Sequence, residues 1–409
     1  MRYSLLSKFQ GVLLGAALGE LLGIEYQRQL SGYNHQNQGF NPSLNKIKLQ
    51  NLLPGAVRSE LKSVNLNRDF QLSRRSSSSS GYLAFLWGKS LMRMRGLDLK
   101  DLKETWVEFS NSESTKVNSQ SDYQAIGTAP EEILQERKVV SPLAVHPSPF
   151  MLHPSEAAIA TLPVAMFFHE NKAKLREKLE QVAGVWQTPS QVEQDLAVGT
   201  LGVGYAIARA LKEKLNPSTL ISETLTYLGV DTPLGNLLVQ VQILLEQNAS
   251  LEAAQTQLYK SAVVKHKPEV PQRSLDLKFV SPSFFVPIAI AFYCFLSTPE
   301  NLRLAVIRAA RMGVEPQLTC SLVGALSGAY NSAVGIPVEW RVALGTNSEG
   351  SEISRRSPLI WGTVSIGEIM ELAANLLAVW SGAYHSSVYS ASPQPPVVAA
   401  PYVIRPQRV

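Results

Sequence analysis

Cysteine is nearly absent from this chain. Cys294 and Cys320 are its two thiols, both in apolar helical runs, so there is no disulfide framework and no C-x-x-C pair for redox chemistry or zinc. That usage fits a reducing cytoplasm, where the protein is expected to reside. Charge is sparse too, at 17% of 409 residues against 45% hydrophobic, enough to bury a large core. Runs of Lys and Arg are missing. The net charge is +5 and the pI about 9.0, but the basic residues are scattered, without the stripe or patch that nucleic acid requires. No G-x-S-x-G, P-loop or dinucleotide fingerprint occurs. Gly199-Thr200-Leu201-Gly202-Val203-Gly204 carries suggestive glycines, yet no strand precedes it, and helix packing is the better account. His146 and His153, seven residues apart beside prolines, have no zinc spacing, and His169 reads as a surface or capping residue. Alternating strand patterns are scarce and tandem repeats are not found.

Two apolar segments resemble membrane-directed ones. Residues 1–23 have a basic start and an apolar run from Gly11 to Leu18, but Glu20 and the glycines continue without a cleavage site. Phe279–Leu296 is broken by Pro282 and Pro287, too short for a span of about 20 residues, and reads as a buried central helix. No membrane partner is expected.

What is present is helical periodicity. Residues 9–26, Tyr82–Met94, 98–109, Glu156–His169, Leu175–Val185, Leu196–Leu215, Thr219–Leu228, Leu237–Gln247, Leu251–Val263, Leu302–Met312 and Ile366–Trp380 all place apolar residues at helical spacing. The fold class is therefore all-α. Ser155 is a candidate N-cap. Residues 31–75 are polar and rich in Asn and Gln, reading as an insertion, and 110–130 read as loop. A domain is expected over 1–385, with a Pro-rich extended tail over 386–409.

Met312–Trp340 is the most informative stretch. Gly324, Ala325, Ser327, Gly328 and Ala329 put small residues on adjacent turns, which lets another backbone come close. A short loop, Gly313 to Gln317, feeds this helix, and Gly335-Ile336-Pro337 is expected to stop it.

Three blocks in order now resemble one family: Phe9–Gly23 (FQGVLLGAALGELLG), Phe284–Arg311, and Leu322–Trp340 ending in Ile-Pro-x-x-Trp. Together they are similar to the ADP-ribosylglycohydrolases, an orthogonal multi-helix bundle. The resemblance implies an enzyme that removes ADP-ribose from modified side chains with two Mg2+ or Mn2+ ions, held by an early Thr/Ser-Asp-Asp-Thr and a late Asp-x-Asp-Thr motif. This sequence departs from the pattern at those ligands. Ser76 to Ser80 stand where the early motif belongs, and Glu315-Pro316-Gln317-Leu318 where the late one does. The family's Gly-Asp-x-x-Gly reads Gly19-Glu20-Leu21-Leu22-Gly23.

Hard dications need clustered anionic oxygens, and serine hydroxyls are neutral. Glu20, Glu25 and Glu315 are the candidate catalytic acids; Ser77, Ser78, Ser79, Ser80, Gln317 and Thr319 are the candidate ligand-binding residues. The expectation is a pseudoenzyme with no metal site and no cofactor, binding ADP-ribose or a related nucleotide, or a protein partner through its tail. The alternative is an active ADP-ribosyl glycohydrolase with a rebuilt site, for which Mg2+ or Mn2+ would be the cofactor. The serine run reads equally as an N-capping linker, and Glu315 as a surface carboxylate.

Overall fold

The computed structural model describes residues 3–30, 79–119, 153–186, 190–229, 231–264, 282–345, 361 and 364–383. Fifteen α-helices occur among them, and no strand. They are α1 Leu5–Leu30, α2 Ser79–Arg93, α3 Leu99–Ser119, α4 Pro154–Ala160, α5 Leu162–Phe167, α6 Lys172–Ala183, α7 Ser190–Leu211 and α8 Leu220–Leu228. There follow α9 Pro233–Glu246, α10 Leu251–Val264, α11 Val286–Ser297, α12 Leu302–Met312, α13 Pro316–Asn331, α14 Val338–Gly345 and α15 Ile366–Ser381. The all-α expectation holds. The polar insertion, Ser77, Ser78 and the C-terminal tail lie outside the described residues.

The helix pair α1/α13 is the axis of the bundle. Gly11, Gly15, Gly19 and Gly23 recur every fourth residue along one stripe of α1. A Cβ at each would fall 2.2 Å from Gly328 O, 2.2 Å from Gly324 O, 2.0 Å from Cys320 O and 2.3 Å from Pro316 O. The partner number falls by four as the α1 number rises by four, so the helices run antiparallel with backbone against backbone. Around this pair α12, α7 and α11 pack on α13, and α15 packs on α1. Every residue of α11 from Val286 to Phe295 is buried, as expected of a central helix. The glycines of α7 do serve packing: Gly199 lies on Pro154, Gly202 on Leu234 and Gly204 on Leu179. Helix α1 is long and apolar enough to cross a membrane by length and composition, but most of it is buried in this core.

Several boundaries differ from the sequence reading. α3 continues to Ser119, through residues expected to be loop. The segment expected over Glu156–His169 breaks at Thr161 into two short helices. Its N-cap is His153, whose capping box with Glu156 includes a 2.8 Å bond from the His153 amide to Glu156 Oε2. Ser155 lies inside the helix and donates instead to Phe284 O at 3.0 Å. His169 is buried, with Nδ1 2.7 Å from Met166 O and its ring against Phe9 and Trp380. α13 ends at Asn331, before Gly335, because Ser332 takes a left-handed φ of 61° and opens a 3-10 turn.

The backbone contact sets a sharp expectation. Gly15→Ala should lower unfolding free energy by about 3 kcal/mol, the upper end of overpacking costs, because its methyl meets a fixed carbonyl. The same change at exposed Gly367, where only Ser365 Oγ comes within 4 Å of the new carbon, should raise stability by about 0.5 kcal/mol through helix propensity. Urea unfolding of the two variants checks the opposite signs.

Candidate functional site

Glu20 projects from α1 beside the glycine stripe, and the α1/α13 register sets it within one turn of Gln317. Gln317 Nε2 donates to Glu20 Oε1 at 3.3 Å, so the structure joins two residues that lie 297 positions apart. Glu20 is 3% exposed. Burial pushes its carboxyl from the ordinary 4.5 up to about 8, outweighing the Gln317 amide and the Trp361 indole, both of which favour the charged form. At neutral pH the acid is therefore mostly protonated.

Trp361 packs beside Glu20. It is 2% exposed, and its indole lies so close to Gly81 on α2 that a Cβ there would fall 2.0 Å from the ring's Cδ1 and 2.1 Å from Nε1. Its backbone sits at φ 50°, a region where bulky residues rarely lie. The N–H approaches Glu20 without good hydrogen-bond geometry: Glu20 Oε2 and Trp361 Nε1 are both buried without a partner. Trp87, Trp186 and Trp340 also bury an unpartnered indole N–H. Trp361 differs from these three in its positive φ and in facing a similarly orphaned acid.

Ser77 and Ser78 lie outside the described residues; the other candidates are placed by their own elements. Ser79 opens α2, and Ser80 is buried next to Gly81, so the serine run does lead into the helix that floors the pit. Glu25 is five residues past Glu20, roughly 140° round the helix, on another face. Glu315 occupies the N-cap of α13 with φ 37°; its charge, after burial, helps raise the Tyr259 phenol on α10 to about 12. Thr319 Oγ1 donates to Val314 O at 2.6 Å and ties the α12–α13 turn, a structural role. Cys294 and Cys320 are buried free thiols, with Cys294 Sγ 3.5 Å from Met312 Sδ. Trp361 was missed by sequence reasoning; its only signal was a lone aromatic in a polar Ser- and Arg-containing stretch.

A cavity of about 440 Å3 lies at the far end of the α1/α13 pair, lined by Tyr3, Lys8, Glu213 and Tyr330 among others. It contains none of the predicted site residues. Lys8 is held there by Ala210 O at 2.8 Å and Glu213 at 3.6 Å.

The family profile of the ADP-ribosylglycohydrolases matches residues 1–384. The chain belongs to that family. No sequence among curated proteins matches it. One solved structure, described as an "ADP-ribosylglycohydrolase-related protein complex", is similar at 15% identity, with 92% of this chain and 99% of that one covered and a TM-score of 0.48.

The implied dinuclear metal centre does not fit the described residues around Glu20. One carboxyl stands beside a neutral amide, and no three His, Cys, Asp or Glu among the described residues group as a metal site. Among the described residues, two dications would lack the anionic oxygens they need.

The raised carboxyl couples folding to pH. The folded state keeps its proton where the unfolded chain has lost it, so this contribution is full below pH 4.5, falls between 4.5 and about 8, and is flat above. Glu20→Gln should remove that slope, on the order of 1 kcal/mol per pH unit, as read from urea unfolding of both proteins between pH 5 and 8.

Proposed function

We propose that this chain is a non-hydrolysing ADP-ribosylglycohydrolase that binds a nucleotide or ADP-ribose-like ligand. The observation that supports the reading is the Glu20–Gln317 pair. The inherited helical frame still presents one acid to the pit, but an amide faces it instead of a second carboxylate, and burial keeps the acid protonated. A protonated carboxyl beside an amide serves as a neutral recognition surface, offering a donor and acceptors.

A second reading has one feature in its favour. A carboxyl with a pKa near 8 is suited to proton transfer near neutral pH, so Glu20 would serve as general acid in a rebuilt hydrolase. Against it stands the enclosure: Glu20 is 3% exposed, with the Trp361 indole beside it. The Pro-rich tail as a docking peptide for a protein partner is a third proposal, outside the described residues.

Calorimetry with ADP-ribose, with and without Mg2+ or Mn2+, should show binding independent of the cation. Incubation with ADP-ribosylated arginine or serine peptides should release no ADP-ribose. Metal-dependent turnover that Glu20→Gln abolishes would establish the rebuilt hydrolase instead.

A further inference from the structure

We propose that the cavity at the far end of the α1/α13 pair binds a small zwitterion of the α-amino-acid class, its carboxylate held by Lys8 and its ammonium by Asn331 and Glu300. The site is separate from Glu20 and Gln317: positions 8 and 20 lie about 18 Å apart along α1 at 1.5 Å per residue. Nothing in it depends on how the Glu20 end of the bundle is read.

The cavity measures about 440 Å3, within the span of small-molecule sites, about 300–1,000 Å3, and far beyond the roughly 30 Å3 of one water. Because α1 and α13 run antiparallel, the first turn of α1 and the last turn of α13 meet there, a positive helix pole beside a negative one. Lys8 stands at the positive pole and is 4% exposed. Its ammonium has three donors. One goes to Ala210 O at 2.8 Å, and Glu213 lies at 3.6 Å, an ion pair longer than a good hydrogen bond. The third has no described partner. Burial lowers the ammonium's pKa from its ordinary 10.5 and Glu213 opposes the shift, a compensation that a second anion would complete. Asn331 stands at the negative pole and is 8% exposed. Its Nδ2 donates to Pro299 O at 2.7 Å and Ser327 O at 3.1 Å. Both partners are carbonyls, so the amide has one orientation, and its Oδ1 accepts from no described residue. Glu300 lines the same cavity without a described cation. Its charge, after burial, helps raise the Tyr330 phenol beside Asn331.

These groups define the ligand. A spare N–H on a buried ammonium asks for an anionic acceptor, and an amide oxygen near a carboxylate asks for a cationic donor. A simple anion meets the first need and finds Glu213 and Glu300 against it; a simple amine meets the second and is repelled by Lys8. One small molecule that carries a carboxylate next to an ammonium meets both, and the two helix poles favour the same polarity. A metal ion does not fit: no three His, Cys, Asp or Glu among the described residues gather there, and a bare ion fills little of the space. The room left over admits a side chain.

Calorimetry of the full chain with each protein L-amino acid, without nucleotide or divalent ions, tests this. At least one should bind with a Kd of about 1 mM or tighter. For the tightest binder, the matching amine without the carboxylate and the matching acid without the ammonium should each bind about tenfold more weakly or worse. Glu300→Gln, a change at an exposed position, should weaken the amino acid about fivefold, and Lys8→Met about tenfold. If circular dichroism shows that the methionine variant does not fold, Glu300→Gln and the two singly charged analogues decide. Glu108→Gln, exposed on α3, should leave the affinity unchanged. Absence of binding by every amino acid at about 1 mM, or an amine or acid that binds as tightly as its amino acid, would overturn the proposal. So would an unaltered affinity in Glu300→Gln, or an equal loss in Glu108→Gln. ADP-ribose binding without amino-acid binding would sink this site alone and leave the nucleotide reading standing.

Discussion

Everything at the site depends on two helix backbones in direct contact. Four glycines of α1 face carbonyls of α13 at distances where no Cβ fits, and Gly324 and Gly328 return the constraint from the other side. A glycine inside a helix costs roughly 1 kcal/mol relative to alanine, so six of them represent a substantial propensity loss. What offsets it is close contact along the whole axis, with α12, α7 and α11 packed around α13. Because each glycine has one opposite carbonyl, the register cannot slip by a residue, and that register brings Glu20 to Gln317.

The same closeness explains the electrostatics. A carboxyl emerging beside such a seam is stripped of water, and Gln317 and Trp361 cannot supply the charge that would keep it ionised. An ionised acid in such a place costs several kcal/mol unless a cation lies near. The described surroundings contribute an amide and an indole instead, and the acid stays protonated.

Much of this was legible beforehand. Helical spacing gave the elements because it reflects a buried face, and the bounds of Leu302–Met312 are those expected. Gly324 and Gly328 announced close packing, and Glu20 and Gln317 were both candidates, since short-range patterns survive in sequence. Glu315 and Thr319 were candidates by position along the chain; the fold adds that Glu315 takes a left-handed N-cap whose charge acts on Tyr259, and that the Thr319 hydroxyl is used in a turn. Trp361 was not legible. It reaches the pit from a segment without periodicity, and nothing in its neighbours specifies that its ring lies on Gly81. His169 was misjudged for a related reason: a histidine near a helix end looks exposed until the aromatic rings that cover it are known.

The energies at Trp361 are nearly balanced. Burying an indole of about 200 Å2 is worth roughly 5 kcal/mol as an upper estimate. A positive φ on a bulky residue costs about 1–3 kcal/mol, and each unpartnered buried polar atom, on the ring and on Glu20, about 1–3 kcal/mol more. The sum lies within a few kcal/mol of zero, so Trp361 itself adds little net stability to the frame. The glycine seam has no such margin, since its contacts are backbone on backbone and have nowhere to go. The rigid seam thus holds a protonated acid, Glu20, beside a buried indole, Trp361.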